Sequence, residues 1–205
     1  MDTSRQVARA LIDSGAITFA LIDPLPIASG LVSPVSLNVK VLPYHPAEWK
    51  VIIDAAGEMI AAPSLSPERI AGPEEAALFH AILGFATGTP SIALQSRTKE
   101  RLSDRVAGRK TLLVEDFLVT GTSSIESIYR LQKDEALVTD MLVILSCDFP
   151  EARGPLQKEN VTLHTLTTFP ELLEEAVKAG ALNEEESSDI EQWRQNPYFW
   201  LSTSV

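Results

Sequence analysis

Short apolar runs alternate with segments of helical periodicity along most of the chain. The runs expected to form strands are 16–22, 35–40, 69–72, 91–95, 111–114, 138–147 and 161–166. Helical patterns begin near residues 5, 47, 73, 124, 169 and 184. Alternation of this kind predicts an α/β fold with a mostly parallel sheet and right-handed crossovers. In such folds, ligands bind at the carboxyl ends of the strands.

The most informative stretch is 111–128. Its apolar run ends at Val114, and the adjacent acids Glu115 and Asp116 follow, where the strand is expected to end. A turn rich in hydroxyl groups comes next, and Ser123 precedes Glu126 at the spacing of a helix capping box. The pattern therefore predicts a strand, an acidic tip, a small polar turn and a helix start.

A helix start of this kind favours a phosphate, because its first N–H groups are unpaired and its dipole is positive there. Gly121 lets the backbone turn tightly. Four side chains could add hydroxyl donors: Thr120, Thr122, Ser123 and Ser124. The two carboxylates could accept from vicinal ribose hydroxyls, directly or through a hydrated Mg²⁺. A sugar phosphate fits this set, although a capped helix beside two solvated acids would give the same pattern.

Composition narrows the classes of protein. Hydrophobic residues make up 45% and charged residues 22% of the 205 residues, which fits one globular domain. A net charge of -11 argues against nucleic acid and an anionic membrane as partners. No apolar run reaches about 18 residues, so we expect a cytoplasmic protein. The lone Cys147 and three dispersed histidines predict no protein-bound metal site.

The run from Val114 to Ser123, VEDFLVTGTS, resembles the phosphoribosyl pyrophosphate (PRPP) motif of type I phosphoribosyltransferases. Its Glu-Asp pair is most similar to the orotate phosphoribosyltransferase version. The resemblance implies that Glu115 and Asp116 hold the ribose hydroxyls and that the loop after them cradles the 5′-phosphate. The loop residues are Thr120, Gly121, Thr122 and Ser123, with Ser124 as a further donor. Val119 stands where a threonine is common in the family, and Thr122 where a second glycine is common.

Other parts of the chain resemble the same family less closely. The N-terminal segment is similar to the family's hood, but Ala28 replaces a ligand-contacting lysine. The resemblance gives three candidate contacts to the base: Ser29, Lys40 and Arg153. The match of Gly72 and Pro73 to the start of the pyrophosphate-binding loop makes them candidate PRPP contacts. Glu74 and Glu75 depart from that loop and place negative charge where an anion is expected.

A basic stretch follows the strand expected at 91–95. In the family, a loop at this place closes over the substrate, and an Arg-Lys pair lies at its start. Arg97 and Lys99 could supply that pair, which makes them catalytic candidates with Glu115 and Asp116. The Lys-x-His-Gly part of the family loop is absent, and the segment is several residues short. A solvated connector is the alternative interpretation.

Taken together, the resemblance implies one phosphoribosyltransferase-like domain over 1–205. A hood would occupy 1–45, and the core with the C-terminal helices would occupy 46–205. It implies a homodimer that uses PRPP with Mg²⁺ and transfers the phosphoribosyl group to a nitrogen base. Orotate is the expected acceptor, and orotidine monophosphate the product, in pyrimidine nucleotide biosynthesis. The rival hypothesis is a homologue without turnover that binds PRPP or a nucleoside monophosphate as a sensor or regulator.

Overall fold

The structure is a computed structural model that describes residues 2–26, 31–95 and 102–198. Its helices are α1 (Thr3–Asp13), α2 (Pro46–Ala61), α3 (Ala77–Thr87), α4 (Ser103–Val106), α5 (Thr122–Lys133), α6 (Pro150–Lys158), α7 (Phe169–Lys178) and α8 (Glu184–Gln195). Its strands are β1 (Ile17–Phe19), β2 (Leu25–Pro26), β3 (Val32–Ser33), β4 (Val35–Leu37), β5 (Arg69–Pro73), β6 (Ser91–Leu94), β7 (Thr111–Leu118), β8 (Asp140–Ser146) and β9 (Thr162–Thr167). Two 3₁₀ segments span Val39–Tyr44 and Glu74–Ala76. The chain divides into two compact units, Met1–Trp49 with Thr167–Val205, and Lys50–Leu166.

The unit formed by Lys50–Leu166 is built on a sheet with the strand order β6-β5-β7-β8-β9. The pairs β5–β6, β5–β7 and β7–β8 are parallel. β7 and β8 are buried along nearly their whole length, which explains why their sequences are continuous apolar runs. The α/β fold with a mostly parallel sheet, as expected from the sequence, is confirmed.

Helices cover this sheet with their apolar faces. α3 contacts β5, β6 and β7, and α5 contacts β7 and α6. The buried residues of α5 are Ser124, Ile128 and Leu131, which recur at the helical period. Leu113 and Val143, from β7 and β8, belong to the core cluster that these helices close. The helix that follows β7 is therefore held firmly against the strand that carries the two acids.

The other unit joins the N-terminal segment to the C-terminal helices. α1 packs against α7, β1 pairs antiparallel with β4, and β2 pairs antiparallel with β3. The indole nitrogen of Trp193 donates to the carbonyl oxygen of Val32 at 2.8 Å, and its ring lies 6.1 Å from that of Phe169. These contacts hold the C-terminal helices to the N-terminal segment within this unit.

One predicted strand is shorter than expected. The alternating run 35–40 predicts a single strand, but β4 ends at Leu37 and a 3₁₀ segment follows. The side chain of Asn38 accepts from the backbone N–H of Lys40 at 3.1 Å, so it competes with sheet pairing and starts the turn. Among the described residues, no helix is long and apolar enough to cross a membrane.

Candidate functional site

The two acids lie inside β7 rather than after it. The sequence predicts that the strand ends at Val114, but β7 stays paired with β8 as far as Leu118 and Ser146. Successive side chains of a strand point to opposite faces. Glu115 and Asp116 are therefore directed to the two sides of the sheet, which corrects the expectation of an irregular acidic tip.

Glu115 is a buried carboxylate with one satisfied oxygen. Only 5% of the residue is exposed. Its Oε2 accepts a hydrogen bond from the Ser124 hydroxyl at 2.8 Å. Its Oε1 is buried and has no hydrogen-bond partner within 2–26, 31–95 and 102–198. Because a buried polar atom without a partner is unfavourable, this oxygen is suited to a donor that a ligand brings.

The surroundings of Glu115 change its acidity. Burial raises the pKa of Glu115 to about 7, and the hydroxyl of Ser124 opposes that rise. The negative charges of Asp116 and Glu75 raise the pKa further. Near neutral pH this group therefore exchanges between an ionised form that only accepts hydrogen bonds and a neutral form that also donates.

Asp116 has a different environment. It is partly exposed, and its Oδ1 accepts from the backbone N–H of Phe117 at 2.8 Å. That bond fixes the carboxylate beside the strand and leaves it in contact with solvent. The two neighbouring acids thus differ in burial.

Gly121 makes the turn from β7 into α5. It has a φ of +76°, and a Cβ there would lie 3.2 Å from both the Cα and the Cβ of Ala152 in α6. Both the left-handed backbone and the close approach require glycine. The close approach of this turn to Ala152 is a constraint that the sequence alone did not reveal.

The helix start was predicted in kind but not in detail. α5 begins at Thr122 with Gly121 as its N-cap, and no side chain caps it. The predicted capping box of Ser123 and Glu126 is wrong, because Ser123 is already the second residue of the helix. The first N–H groups of a helix have no partner inside it, and the side chains of Thr122 and Ser123 are exposed beside them. This end of α5 suits a phosphate group.

Ser124 has a role that sequence reasoning missed. It was predicted as a donor to the phosphate, but it is fully buried and its hydroxyl donates to Glu115. The signal was present in the helical period, since Ser124 shares its face with Ile128 and Leu131. A hydroxyl on an apolar face needs a partner, and the strand opposite carries the acid.

Gly72 is enclosed by the fold. It lies in β5 opposite Ala93 of β6, and a Cβ there would be 2.4 Å from the carbonyl oxygen of Val114 and 2.5 Å from Cδ2 of His80. His80 is itself buried, with its Nδ1 2.8 Å from Oγ of Ser91. Gly72 is therefore required for packing in β5, the short buried strand that the sequence predicts at 69–72, and its role as a PRPP contact stays a prediction.

The segment after β5 is a turn that carries two acids. Pro73 ends β5, and Glu74 and Glu75 form the 3₁₀ turn that leads into α3. Both glutamates are exposed, and the charge of Glu75 is felt at Glu115. The backbone at the predicted pyrophosphate position is therefore helical and flanked by negative charge. Pro73 as a PRPP contact stays a prediction.

The remaining predicted residues are dispersed. Arg153 pairs through its guanidinium with both oxygens of Asp148, whose φ is +63°. Lys40 is exposed on the 3₁₀ segment of the N-terminal unit. Three predicted residues lie outside the described residues: Ser29, Arg97 and Lys99. Across the described ranges, no group of three or more His, Cys, Asp or Glu side chains is placed to hold a metal ion.

Comparison with known proteins bears on this site. No protein-family model matches the chain. The orotate phosphoribosyltransferase of Coxiella burnetii is 28% identical over 207 residues, which cover 98% of this chain and 99% of that protein. The enzyme of the same name from Bacillus caldolyticus is 26% identical over 202 residues. The chain is similar to orotate phosphoribosyltransferases over nearly its whole length.

Solved structures agree with that resemblance at the level of the fold. The UMP synthase of Leishmania donovani has a TM-score of 0.81 at 22% identity; the match covers 94% of this chain and 42% of that protein. Orotate phosphoribosyltransferase from Aeropyrum pernix has a TM-score of 0.67 at 22% identity, with coverage of 86% and 99%. The fold is therefore that of the type I phosphoribosyltransferases.

Proposed function

We propose that this protein transfers the phosphoribosyl group of PRPP to orotate and so forms orotidine monophosphate and pyrophosphate. The observation that carries the proposal is the arrangement of β7 and α5. Glu115 is buried with one oxygen unpaired in the described part of the chain, and Asp116 beside it is partly exposed. Glu115 is hydrogen-bonded to the first turn of α5, whose start no side chain caps. The similarity to orotate phosphoribosyltransferases over 98% of the chain supports the same conclusion.

In this proposal, the β7–α5 site holds the part of PRPP that does not leave. Glu115 and Asp116 point to opposite sides of the sheet, but β5 pairs with β7 only as far as Leu113, so a ribose beside this edge of β7 can donate hydrogen bonds to both acids. The N–H groups at the start of α5, with Thr120, Thr122 and Ser123, receive the 5′-phosphate. Anchoring the sugar at both ends fixes C1 relative to the incoming base, and such positioning is a large source of rate enhancement.

The reaction itself needs no protein nucleophile. The bond from C1 to the pyrophosphate oxygen breaks with its electron pair on the oxygen. A ring nitrogen of the base forms the new bond to C1, and its proton passes to the departing pyrophosphate or to water. Mg²⁺ enters as part of the substrate, bound to the diphosphate of PRPP. We propose Arg97 and Lys99 as the cations that stabilise departing pyrophosphate, and Ser29, Lys40 and Arg153 as contacts of the base.

We further propose that the protein is a cytoplasmic homodimer that uses the outer face of α3. Phe85 is 91% exposed there, Ala81 and Ala86 are exposed beside it, and Leu78 and Ile82 are only partly covered. A second copy offers the same patch and is the partner that a two-fold interface requires. Phe85→Glu should convert a dimer to a monomer in analytical ultracentrifugation. A wild-type protein that sediments as a monomer would contradict this proposal.

The direct test is to incubate the protein with PRPP, Mg²⁺ and orotate and to measure orotidine monophosphate and pyrophosphate. Asp116→Asn should lower kcat/KM at least about tenfold, because it removes a charged hydrogen-bond acceptor, and it should leave Tm nearly unchanged. Asp189→Asn, at an exposed acid of α8, is the matched control. If Asp116→Asn formed orotidine monophosphate with the same kcat/KM as the wild type, Asp116 would not be part of the site.

One observation favours a second function, binding without turnover. The turn of Glu74 and Glu75 replaces the family's pyrophosphate loop and adds negative charge near Glu115. Like charges oppose the binding of a diphosphate more than that of a monophosphate. A sensor would bind orotidine monophosphate without Mg²⁺ and release no pyrophosphate from PRPP. The enzyme would bind PRPP in the presence of Mg²⁺ and turn it over.

A further inference from the structure

The contact between Ser124 and Glu115 joins the two elements of the candidate site. Both residues are buried, and the serine hydroxyl reaches across from the first turn of α5 to Oε2 of the acid in β7 at 2.8 Å. A hydroxyl donates one proton, so this bond occupies one carboxylate oxygen and leaves the other, Oε1, without a partner among the described residues.

The direction of that hydrogen bond matters for a ligand. A ribose hydroxyl that donates to Oε1 needs an acceptor there. An ionised carboxylate accepts at both oxygens, whereas the neutral acid carries a proton on one of them. A donor on Oε2 stabilises the ionised form and fixes the plane of the carboxylate. Without that donor, burial beside other negative charges favours the neutral acid.

We propose that Ser124 is a positioning residue that holds Glu115 ionised and oriented, with Oε1 free to accept a hydroxyl of the ligand. This inference rests on the proposed function, because it takes the ligand to be a ribose phosphate. Ser124 touches the acid and not the ligand. It therefore acts through Glu115 on the binding of the sugar.

The other groups that face Glu115 act in the opposite direction. Asp116 adjoins it in β7, and Glu75 approaches from the 3₁₀ turn before α3; both are acids and both raise its pKa. Ser124 is the one contributor that lowers it among the described residues whose effect is resolved. Removing the hydroxyl should shift the titration of Glu115 to higher pH.

The experiment is a calorimetric titration with orotidine monophosphate from pH 5.5 to 9.5. It uses the wild type, Ser124→Ala, Ser124→Cys and the control Ser127→Ala. Ser127 lies three residues further along α5 and takes no part in the hydrogen bond to Glu115. The phosphate of the ligand also titrates in this range, with a pKa of about 6. The ratio of wild-type to variant affinity at each pH cancels that effect.

We expect Ser124→Ala to move the pH midpoint up by about one unit, the size of one hydrogen bond to a charged group. Affinity should then fall about tenfold at pH 6 and less than twofold at pH 9.5. Ser124→Cys, a weaker donor, should lie between the wild type and alanine. Ser127→Ala should match the wild type at every pH.

Two results would overturn the inference while leaving the proposed function intact: no change on Ser124→Ala, or a loss by the same factor at every pH. The second result would mean that the hydroxyl serves packing alone. Carbon NMR of the Glu115 carboxyl in the ligand-free protein gives an independent reading, and an unmoved midpoint in Ser124→Ala would also overturn it. A third outcome separates the two proposals: the wild type binds no orotidine monophosphate, but the NMR midpoint of Glu115 moves in Ser124→Ala. In that case the proposed ligand is wrong, and the effect of Ser124 on Glu115 still holds.

Discussion

Within residues 2–26, 31–95 and 102–198, two glutamates are buried, and their surroundings are opposite in charge. Glu175 of α7, with a side chain that is 2% exposed, meets Arg5 at 3.1 Å and Lys178 at 2.8 Å. Its pKa is lowered, first by the hydrogen bond from Lys178. Glu115 of β7 is 5% exposed, has one serine hydroxyl as its partner, and has a pKa raised to about 7 by burial.

The comparison shows how to distinguish a buried acid that stabilises the fold from one that is suited to bind a ligand. Glu175 is neutralised by partners within its own unit, where it ties α1 to α7, so its contacts are complete without a ligand. Glu115 is surrounded by other acids and leaves an oxygen unpaired in the described part of the chain. Such an arrangement destabilises the protein on its own and is relieved when a donor binds.

The largest expected effect is that of Glu115→Gln on the free energy of unfolding. A folded-state pKa of Glu115 raised above the unfolded value means that the native protein holds more protons between about pH 4.5 and 7. Its contribution to stability is full at low pH and is lost as pH rises through about 7. Glu115→Gln should therefore raise the free energy of unfolding by about 3 kcal/mol at pH 9. Urea denaturation at pH 5 and 9 measures it.

That variant should also weaken the binding of orotidine monophosphate at pH 9 at least about tenfold, since the amide loses the charge and keeps only one acceptor oxygen. A gain in stability that was the same at pH 5 and 9 would contradict the claim that the ionised form of Glu115 destabilises the fold. The same claim would be contradicted if Glu115→Gln were less stable than the wild type at pH 9.

The second effect, that of Glu175→Gln on stability, has the opposite sign. Glu175 has a lowered pKa, so its contribution is present above the unfolded value and is lost as pH falls through the folded one. Glu175→Gln should destabilise the protein by about 2 kcal/mol at pH 7, a buried-pair cost that is reduced because both cations reach solvent. Urea denaturation at pH 7 and 3 checks it. Binding of orotidine monophosphate should stay unchanged; a loss of affinity would contradict a purely structural role.

The smallest effect tests how much each cation contributes. Lys178 is 56% exposed and Arg5 is 31% exposed. Lys178→Met should cost only about 0.5 kcal/mol at pH 7, because a solvent-screened pair contributes little. Thermal unfolding at pH 7 would detect it against the wild type. A loss as large as that of Glu175→Gln would mean that Lys178 alone holds the acid.

Much of the fold could be predicted from the sequence. The apolar runs of β7 and β8 and the helical period of α5 set the α/β architecture, because these patterns record local burial. Strand length was less predictable. β7 continues through Glu115 and Asp116 because β8 pairs with it, and that pairing depends on residues about 28 positions away.

The site was predictable in place but not in its contacts. The run of acids, hydroxyls and Gly121 indicated where the strand that carries the acids meets a helix start, and β7 and α5 meet there. The phosphate at this place stays a prediction. The bond between Ser124 and Glu115, and the contact of Gly121 with Ala152, could not be read from the motif, since they depend on how α5 and α6 pack on the strand. Local patterns fix which residue types are present, and tertiary packing decides which of them face the ligand.

The most direct measurement is calorimetric titration of the purified protein with PRPP, with and without Mg²⁺, and then with orotidine monophosphate. We expect PRPP to bind only when Mg²⁺ is present, and orotidine monophosphate to bind in either condition. Binding of the monophosphate alone would contradict transfer from PRPP and favour the sensor. No heat from either ligand, with the protein folded, would contradict a ribose-phosphate site at Glu115 and Asp116.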